Sequence, residues 1–357
     1  MISKKICYLI FNNSPSSVVR ATTFKNEFLE YNYEPFYFKL FSKRISLLAA
    51  WFLFHKLSFL ALAVNKVNAL FERIAFQYFL FLCKKYDAII IIKYIKPLYL
   101  NKLKFKYKGK MLYDFDDAVW VNYIMGEDTF KKIVTNVDYV SCDNSFLLAK
   151  VMKYNFNSFI LNGPTQIEKF ISQSKTRNDN KIIIGWVGSP DTLFYLYSVY
   201  DALEKIGELY ENVILRIIGT GYEKKKIPDF EKINIEILKT YNEQQMITEV
   251  KNFDIGIFPL FNNDLSCGRG LLKSKIYMSA SVPSITSNLG TASDLIINGE
   301  NGFLCNSTEE WIACISKLIE NPNLRKQIGE MGFITIKQKY SKKSCFLELK
   351  QNFLDTI

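Results

Sequence analysis

Histidine is almost absent from this chain. Of 357 residues only His55 is one, and it lies in an apolar stretch away from every acidic motif. That leaves no material for a histidine-based triad or a histidine metal site. The cysteines, at positions 7, 83, 142, 267, 305, 314 and 345, are odd in number and contain no C-x-x-C pair. This spacing fits reduced thiols in a cytoplasmic chain, not a disulfide frame or a zinc centre. Arginine-rich tracts, aromatic RNA-binding signatures and zinc-finger spacings are missing as well, so nucleic acid is not an expected partner. The formal charge of +11 points instead to an anionic membrane surface or to phosphorylated ligands. The apolar run at residues 6–11 is too short for a signal h-region, and no repeat of solenoid period is visible.

What is present is a globular composition, 49% hydrophobic and 23% charged, on a length that supports two cores. Short apolar runs bounded by turn residues predict strands at 5–11, 36–40, 88–92, 110–113, 139–141 and 159–161. A second series follows at 182–187, 213–218, 235–238, 255–258 and 283–286, with helices over 195–210, 243–252 and 309–320 between them. Uniformly apolar strands alternating with helices predict an α/β chain with two doubly wound parallel sheets. The polar stretch SQSKTRNDN at 172–180 reads as a linker. The expected domains are therefore 1–171 and 181–340. Residues 341–357 form a helix with Phe346, Leu349, Phe353 and Leu354 on one face.

Residues 45–64 are almost wholly apolar, and a second helical stretch runs from 67 to 83. The length suffices to span a bilayer, but His55 and Lys56 sit at its centre, where a lysine costs about 2.5–3.5 kcal/mol. Two alternatives remain: a buried helix of the first domain, or an interfacial helix pair held to anionic lipid by Lys43, Arg44, Lys56, Lys66 and Arg73.

The chemistry-bearing motifs fall at predicted strand ends, where doubly wound sheets bind ligands. KMLYDFDDAVW at 110–120 places Asp114, Asp116 and Asp117 after one strand. Three adjacent carboxylates repel one another unless a cation compensates, and a helix cap needs only one of them. Asp114, nearest the strand, is expected to cap the following backbone, so that Asn would replace it at little cost. Asp116 and Asp117 are the candidate catalytic pair, and Asp114 with Asp116 also forms a D-x-D of the metal-binding kind. GWVGSP at 185–190 sets Gly188 and Ser189 at a strand–helix turn, where backbone amides approach a phosphate. Arg269, flanked by Gly268 and Gly270, and Lys273, four residues on, would share a helix face and suit a diphosphate. Tyr277 follows on the same helix, and Thr291 opens the next after Gly290. Asp264, after the strand 255–258, is a candidate for orienting a sugar hydroxyl. Arg20, after the loop at 12–17, is a candidate acceptor-binding residue.

With YDFDDAVW, GWVGSP, FDIGIFPL, RGLLKSKIYMSASVP and NGENGFL in this order, the chain resembles glycosyltransferase family 4. The resemblance implies the GT-B fold, two Rossmann-like domains facing across a cleft, with the C-terminal helix crossing back to the first. It implies a retaining enzyme, active without metal or other cofactor. The second domain would hold the nucleotide sugar through Gly188, Ser189, Arg269, Gly270, Lys273, Tyr277 and Thr291. The first would hold a glycan or lipid-linked acceptor. It also implies a role in surface polysaccharide synthesis at the inner face of the cell membrane. The family's two glutamates before the Tyr277 helix fall here on Gly268 and Ile276, and Asp116 stands where the family commonly has histidine. Two other classes share these features: a nucleotide-sugar epimerase on the same fold, and a silent protein that binds nucleotide sugars or glycans.

Overall fold

Runs of isoleucine, valine and phenylalanine become two all-parallel sheets in the computed structural model, which describes residues 3–11, 15–40, 58–121, 125–177, 179–221 and 227–357. The first sheet contains β1 (Lys4–Ile10), β2 (Tyr33–Lys39), β3 (Ala88–Ile92), β4 (Lys110–Phe115), β5 (Tyr139–Cys142) and β6 (Ser158–Ile160), ordered β2-β1-β3-β4-β5-β6. The second contains β7 (Ile182–Val187), β8 (Val213–Ile218), β9 (Asn234–Leu238), β10 (Ile255–Phe258), β11 (Ser284–Ser287) and β12 (Phe303–Cys305), ordered β12-β11-β10-β7-β8-β9. Both are doubly wound α/β sheets of the Rossmann-like kind. The chain reverses direction of travel between β1 and β3 in one sheet and between β7 and β10 in the other, and such reversals open a crevice at the strand C-termini. The AIIII run of β3 is buried on both faces, as a central parallel strand requires. Pro35 lies within β2, which is tolerated because β2 is an edge strand.

The first compact unit is Met1–Asn162 with Cys345–Ile357, and the second is Gly163–Ser344. In the first, the helix Lys342–Asn352 sends Phe346 among Phe24, Phe28 and Tyr31, with ring centroids 5.8, 5.1 and 5.3 Å away. In the second, the stretch expected as a linker is tied down. Lys175 and Arg177 pair with Asp254 at 2.8 and 2.5 Å, and the Thr176 amide donates to Asn252. Polar sequence reads as linker when its partner is a single buried carboxylate far along the chain.

Two element boundaries also differ from expectation. The helix expected from 195 begins as a 3₁₀ segment, Pro190–Val199, and turns α-helical at Tyr200–Leu209. Strand β4 continues to Phe115, so Asp114 lies inside the sheet. His55, Lys43, Arg44, Lys56 and residues 45–57 of the apolar segment lie outside the described residues; the helix Ser58–Leu82 follows them. Among the described residues no helix is long and apolar enough to cross a membrane.

Candidate functional site

In the second unit, β7 and β10 pair only at Ile184–Ile255 and Gly185–Gly256. Beyond that point the Tyr277 hydroxyl bridges them, accepting from the Val187 amide at 3.1 Å and donating to the Ile257 carbonyl at 3.2 Å. Tyr277 is fully buried, so it positions the site and its hydroxyl is not free for a donor.

Lys273 sits above this opening. Its ammonium lies 4.2 Å from the Trp186 ring centre on β7 and 5.2 Å from Phe258 on β10, and donates to Thr192 Oγ1 at 3.3 Å. The Arg269 guanidinium lies 5.4 Å from the Tyr195 ring centre, and its buried Nε has no hydrogen-bond partner. Burial, and then the Arg269 charge, pull the Lys273 pKa from 10.5 down to about 7. No carboxylate offsets either effect. Two cations side by side, one with an unpartnered buried donor, suit an anion. The helix Leu272–Ser279 starts here after Leu271 in the left-handed region (φ 53°), with no side chain capping its first amides. The positive end of its dipole adds to the two charges.

The structure brings Gly188 and Ser189 to the same place. A Cβ at Gly188 would lie 2.3 Å from Trp186 and 2.8 Å from Thr192, so glycine lets the loop close onto the lysine's platform. Both amides, however, are spent. Gly188 donates to the Ile218 carbonyl at 2.9 Å, and Ser189 to Thr192 Oγ1 at 3.2 Å. The expected backbone cradle is therefore not available, because the Pro190 helix uses Thr192 to close its own first turn. Gly270 adjoins Leu271 in the turn. Thr291 is buried ahead of the four-residue helix Ala292–Leu295. Gly290 (φ 56°) packs on Cys267, where a Cβ would lie 2.4 Å from its carbonyl oxygen. Asp264 is exposed in the first turn of the helix Asp264–Cys267, beside the Asn263 cap.

In the first unit the acidic motif splits in two. Asp114 is buried and receives Arg20 Nε at 2.5 Å, Arg20 Nη2 at 2.8 Å and Ser141 Oγ at 2.5 Å. Arg20 also reaches Asp143 at 3.3 Å and the Leu161 carbonyl at 2.8 Å. Burial, the largest single influence, would lower the Arg20 pKa; the charge and hydrogen bonds of Asp114, with the charges of Asp116 and Asp143, together outweigh it and hold the guanidinium protonated. Asp114 is thus no cap and Arg20 no free acceptor contact: each fills the other's bonding capacity. Asp116 and Asp117 lie farther out, paired with the Lys93 ammonium, Asp117 at 3.5 Å. The repulsion expected among three carboxylates is met by two cations, and the D-x-D pair is divided between them. Among the described residues no three His, Cys, Asp or Glu side chains are grouped as metal ligands.

Lys93 was not legible in sequence. It follows β3 at the first sheet's reversal, with φ 59° and its carbonyl accepting the Tyr113 hydroxyl at 2.7 Å. A non-glycine residue held there marks a constrained position. A lysine straight after a buried isoleucine strand was the available signal. Thr192, three residues after Ser189, had the N-cap and N3 spacing as its signal.

Residues 167–333 match the family model described as glycosyl transferases group 1. A glycosyltransferase of Methanocaldococcus jannaschii of uncharacterised role is 29% identical over 267 residues, 71% of this chain and 64% of that one. The capsular polysaccharide biosynthesis glycosyltransferase CapM of Staphylococcus aureus is 25% identical over 58% of this chain and 56% of its own. The chain thus spans less than two thirds of the length of these relatives. A glycosyltransferase structure from Rickettsia africae shares the fold over 99% of both chains, with TM-score 0.70 and 14% identity.

The two halves of the acidic motif respond differently to charge removal. Asp114→Asn leaves a buried guanidinium without its counter-charge and should cost about 3–5 kcal/mol of stability. Asp117→Asn, on a half-exposed pair, should cost under about 1 kcal/mol. Urea unfolding midpoints of the two variants check this, and equal midpoints would show that Arg20 does not depend on Asp114.

Proposed function

We propose that this chain, whose residues 167–333 match the family model described as glycosyl transferases group 1, is a retaining glycosyltransferase. It moves a sugar from a nucleoside-diphosphate donor to a glycan or lipid-linked acceptor. The observation that carries the reading is the Arg269–Lys273 pair at the β7–β10 crevice, which has no carboxylate partner among the described residues. As the bond from the anomeric carbon to the donor oxygen breaks, its electron pair stays on the diphosphate, and positive charge builds on the sugar ring. Arg269, Lys273 and the Leu272–Ser279 dipole stabilise the leaving group. In retaining transfer the departing phosphate itself takes the acceptor proton, so no strong base is required. The positive charges already meet the diphosphate, and we take the chemistry to be independent of metal.

Asp116 and Asp117 are assigned to the acceptor side. There a carboxylate accepts a hydrogen bond from the acceptor hydroxyl or stabilises the oxocarbenium-like centre, while Lys93 fixes its position. Asp264 is assigned to a donor sugar hydroxyl. The relationship to CapM supports an acceptor in surface polysaccharide synthesis, at the inner face of the cell membrane.

Membrane contact is assigned to the helix Ser58–Leu82. Phe59, Val67, Leu70, Ile74, Tyr78 and Phe81 recur at helical spacing and are all exposed. Lys66 and Arg73, also exposed, run seven residues apart along the border of this stripe. Apolar surface flanked by cations suits the interface of an anionic bilayer.

Three measurements test these assignments. Arg269→Ala and Lys273→Ala should each weaken nucleoside-diphosphate binding by roughly 1.5–3 kcal/mol in calorimetry. A bound diphosphate opposes the effects that lower the Lys273 pKa. Wild-type binding at pH 8 should therefore take up a proton, and affinity should fall as pH rises from 7 to 9. At pH 6 Lys273 is already charged and contributes no uptake, and Lys273→Ala should abolish the pH 8 uptake. Unchanged affinity in both variants would remove this loop from the site.

For turnover, the readout is acceptor-dependent release of nucleoside diphosphate in EDTA. Asp116→Asn should lower it on the order of 10²-fold at a near wild-type melting temperature. Full activity in that variant would make the cluster structural, and loss in EDTA restored by added metal would overturn the metal-free route. Tight nucleotide binding with no release under any acceptor would identify a binding protein instead.

For the membrane, the protein should sediment with anionic vesicles at low salt and be released by high salt, and Ile74→Glu with Phe81→Glu should abolish sedimentation. Indifference to anionic vesicles at low salt would make the stripe irrelevant to lipid.

A further inference from the structure

A second cationic cavity lies in the second unit, at the other end of its sheet. It measures 480 Å³ and is lined by Lys175, Lys251, Arg325 and Lys326, with Asp254 as its one carboxylate. Phe253 and Asp254, just before β10, and Val282 and Pro283, just before β11, also line it. The cavity therefore opens at the strand N-termini. A four-residue strand separates it from the Lys273 site by roughly 13 Å.

The charges do not cancel internally. Asp254 is buried and already receives Lys175 at 2.8 Å, Arg177 at 2.5 Å and the Ile183 amide at 2.9 Å, with Arg325 Nε at 3.9 Å. Among the described residues, Lys326 has only an exposed contact with Glu330 at 3.9 Å, a pair of little worth. Lys251 has no ion-pair partner among the described residues, and burial lowers its pKa without any carboxylate opposing the shift. Arg325 closes the first turn of the long helix Pro322–Lys339, a turn that carries no acidic residue, and Lys326 opens the second. Cations at a helix N-terminus oppose its dipole, and an anion would relieve both effects. The wall is built to a close tolerance. Gly329 lets this helix approach Ser281, whose carbonyl would lie 2.1 Å from a Cβ, and Ser281 itself is held at φ 58°.

We propose that this cavity is a second anion site of the chain, for a small, multiply charged phosphorylated compound, separate from the donor crevice. Its volume admits more than a single phosphate. Arg325 is held by Nη1 donating to the Leu318 and Ile319 carbonyls at 2.7 and 3.3 Å, and it lines the cavity together with Lys251 and Lys326.

The test is calorimetry of inorganic pyrophosphate with the full chain at low ionic strength. Wild type should bind two equivalents. Arg269→Ala with Lys273→Ala should remove one and leave the other. Adding Lys251→Gln and Lys326→Gln to that variant should weaken the remaining event at least tenfold. In the wild-type background the same two changes should leave the donor-crevice event intact and the melting temperature unchanged. A single equivalent lost entirely with Arg269→Ala and Lys273→Ala overturns the second site. So does a remaining event indifferent to Lys251→Gln and Lys326→Gln. Two equivalents insensitive to Arg269→Ala and Lys273→Ala would instead count against the donor crevice alone.

Discussion

The hydroxyl of Tyr277 holds the second unit's site open. Strands β7 and β10 pair for two residues and then part, because nothing in the sheet joins them at its reversal. Tyr277 spans the gap from below, bonded to one backbone on each side. It fits only because β10 carries glycine at 256, where a Cβ would lie 2.4 Å from the tyrosine ring. The crevice above thus has a fixed floor. Trp186 and Phe258 are buried beside it, and the Lys273 ammonium lies over both rings. Placement of the lysine follows from that floor more than from its own helix.

The two units handle charge in opposite ways. The first neutralises its carboxylates internally: Arg20 with Asp114 and Asp143 in the interior, Lys93 with Asp116 and Asp117 nearer the surface. The inner group is buried, while the outer is partly exposed. The second unit leaves cations unmet at its strand C-termini.

Amino-acid pattern was sufficient for much of the architecture. Uniformly apolar runs such as AIIII and IIIGWV admit no face to solvent, so they dictate parallel strands covered on both sides. The order of motifs placed Gly188, Ser189, Arg269 and Lys273 at strand ends in one sheet, and the structure gathers Gly188, Ser189 and Lys273 around Thr192. Tyr277 occupies the same region but faces inward, because its ring packs under Gly256.

Local sequence determined which residues are cationic, which runs are strands and where the turns fall, since each depends on neighbours within a few positions. Tertiary structure decided which charges are paired. Asp114 looked like a cap until β4 proved to run through it toward Arg20, 94 positions away in sequence. The stretch 172–180 looked like a linker until Asp254 claimed Lys175 and Arg177. Gly188 and Ser189 looked like a phosphate cradle until Ile218 and Thr192 took their amides. A hydrogen bond or ion pair is decided by proximity in space, and a parallel sheet brings together residues whose separation along the chain carries no trace of the pairing.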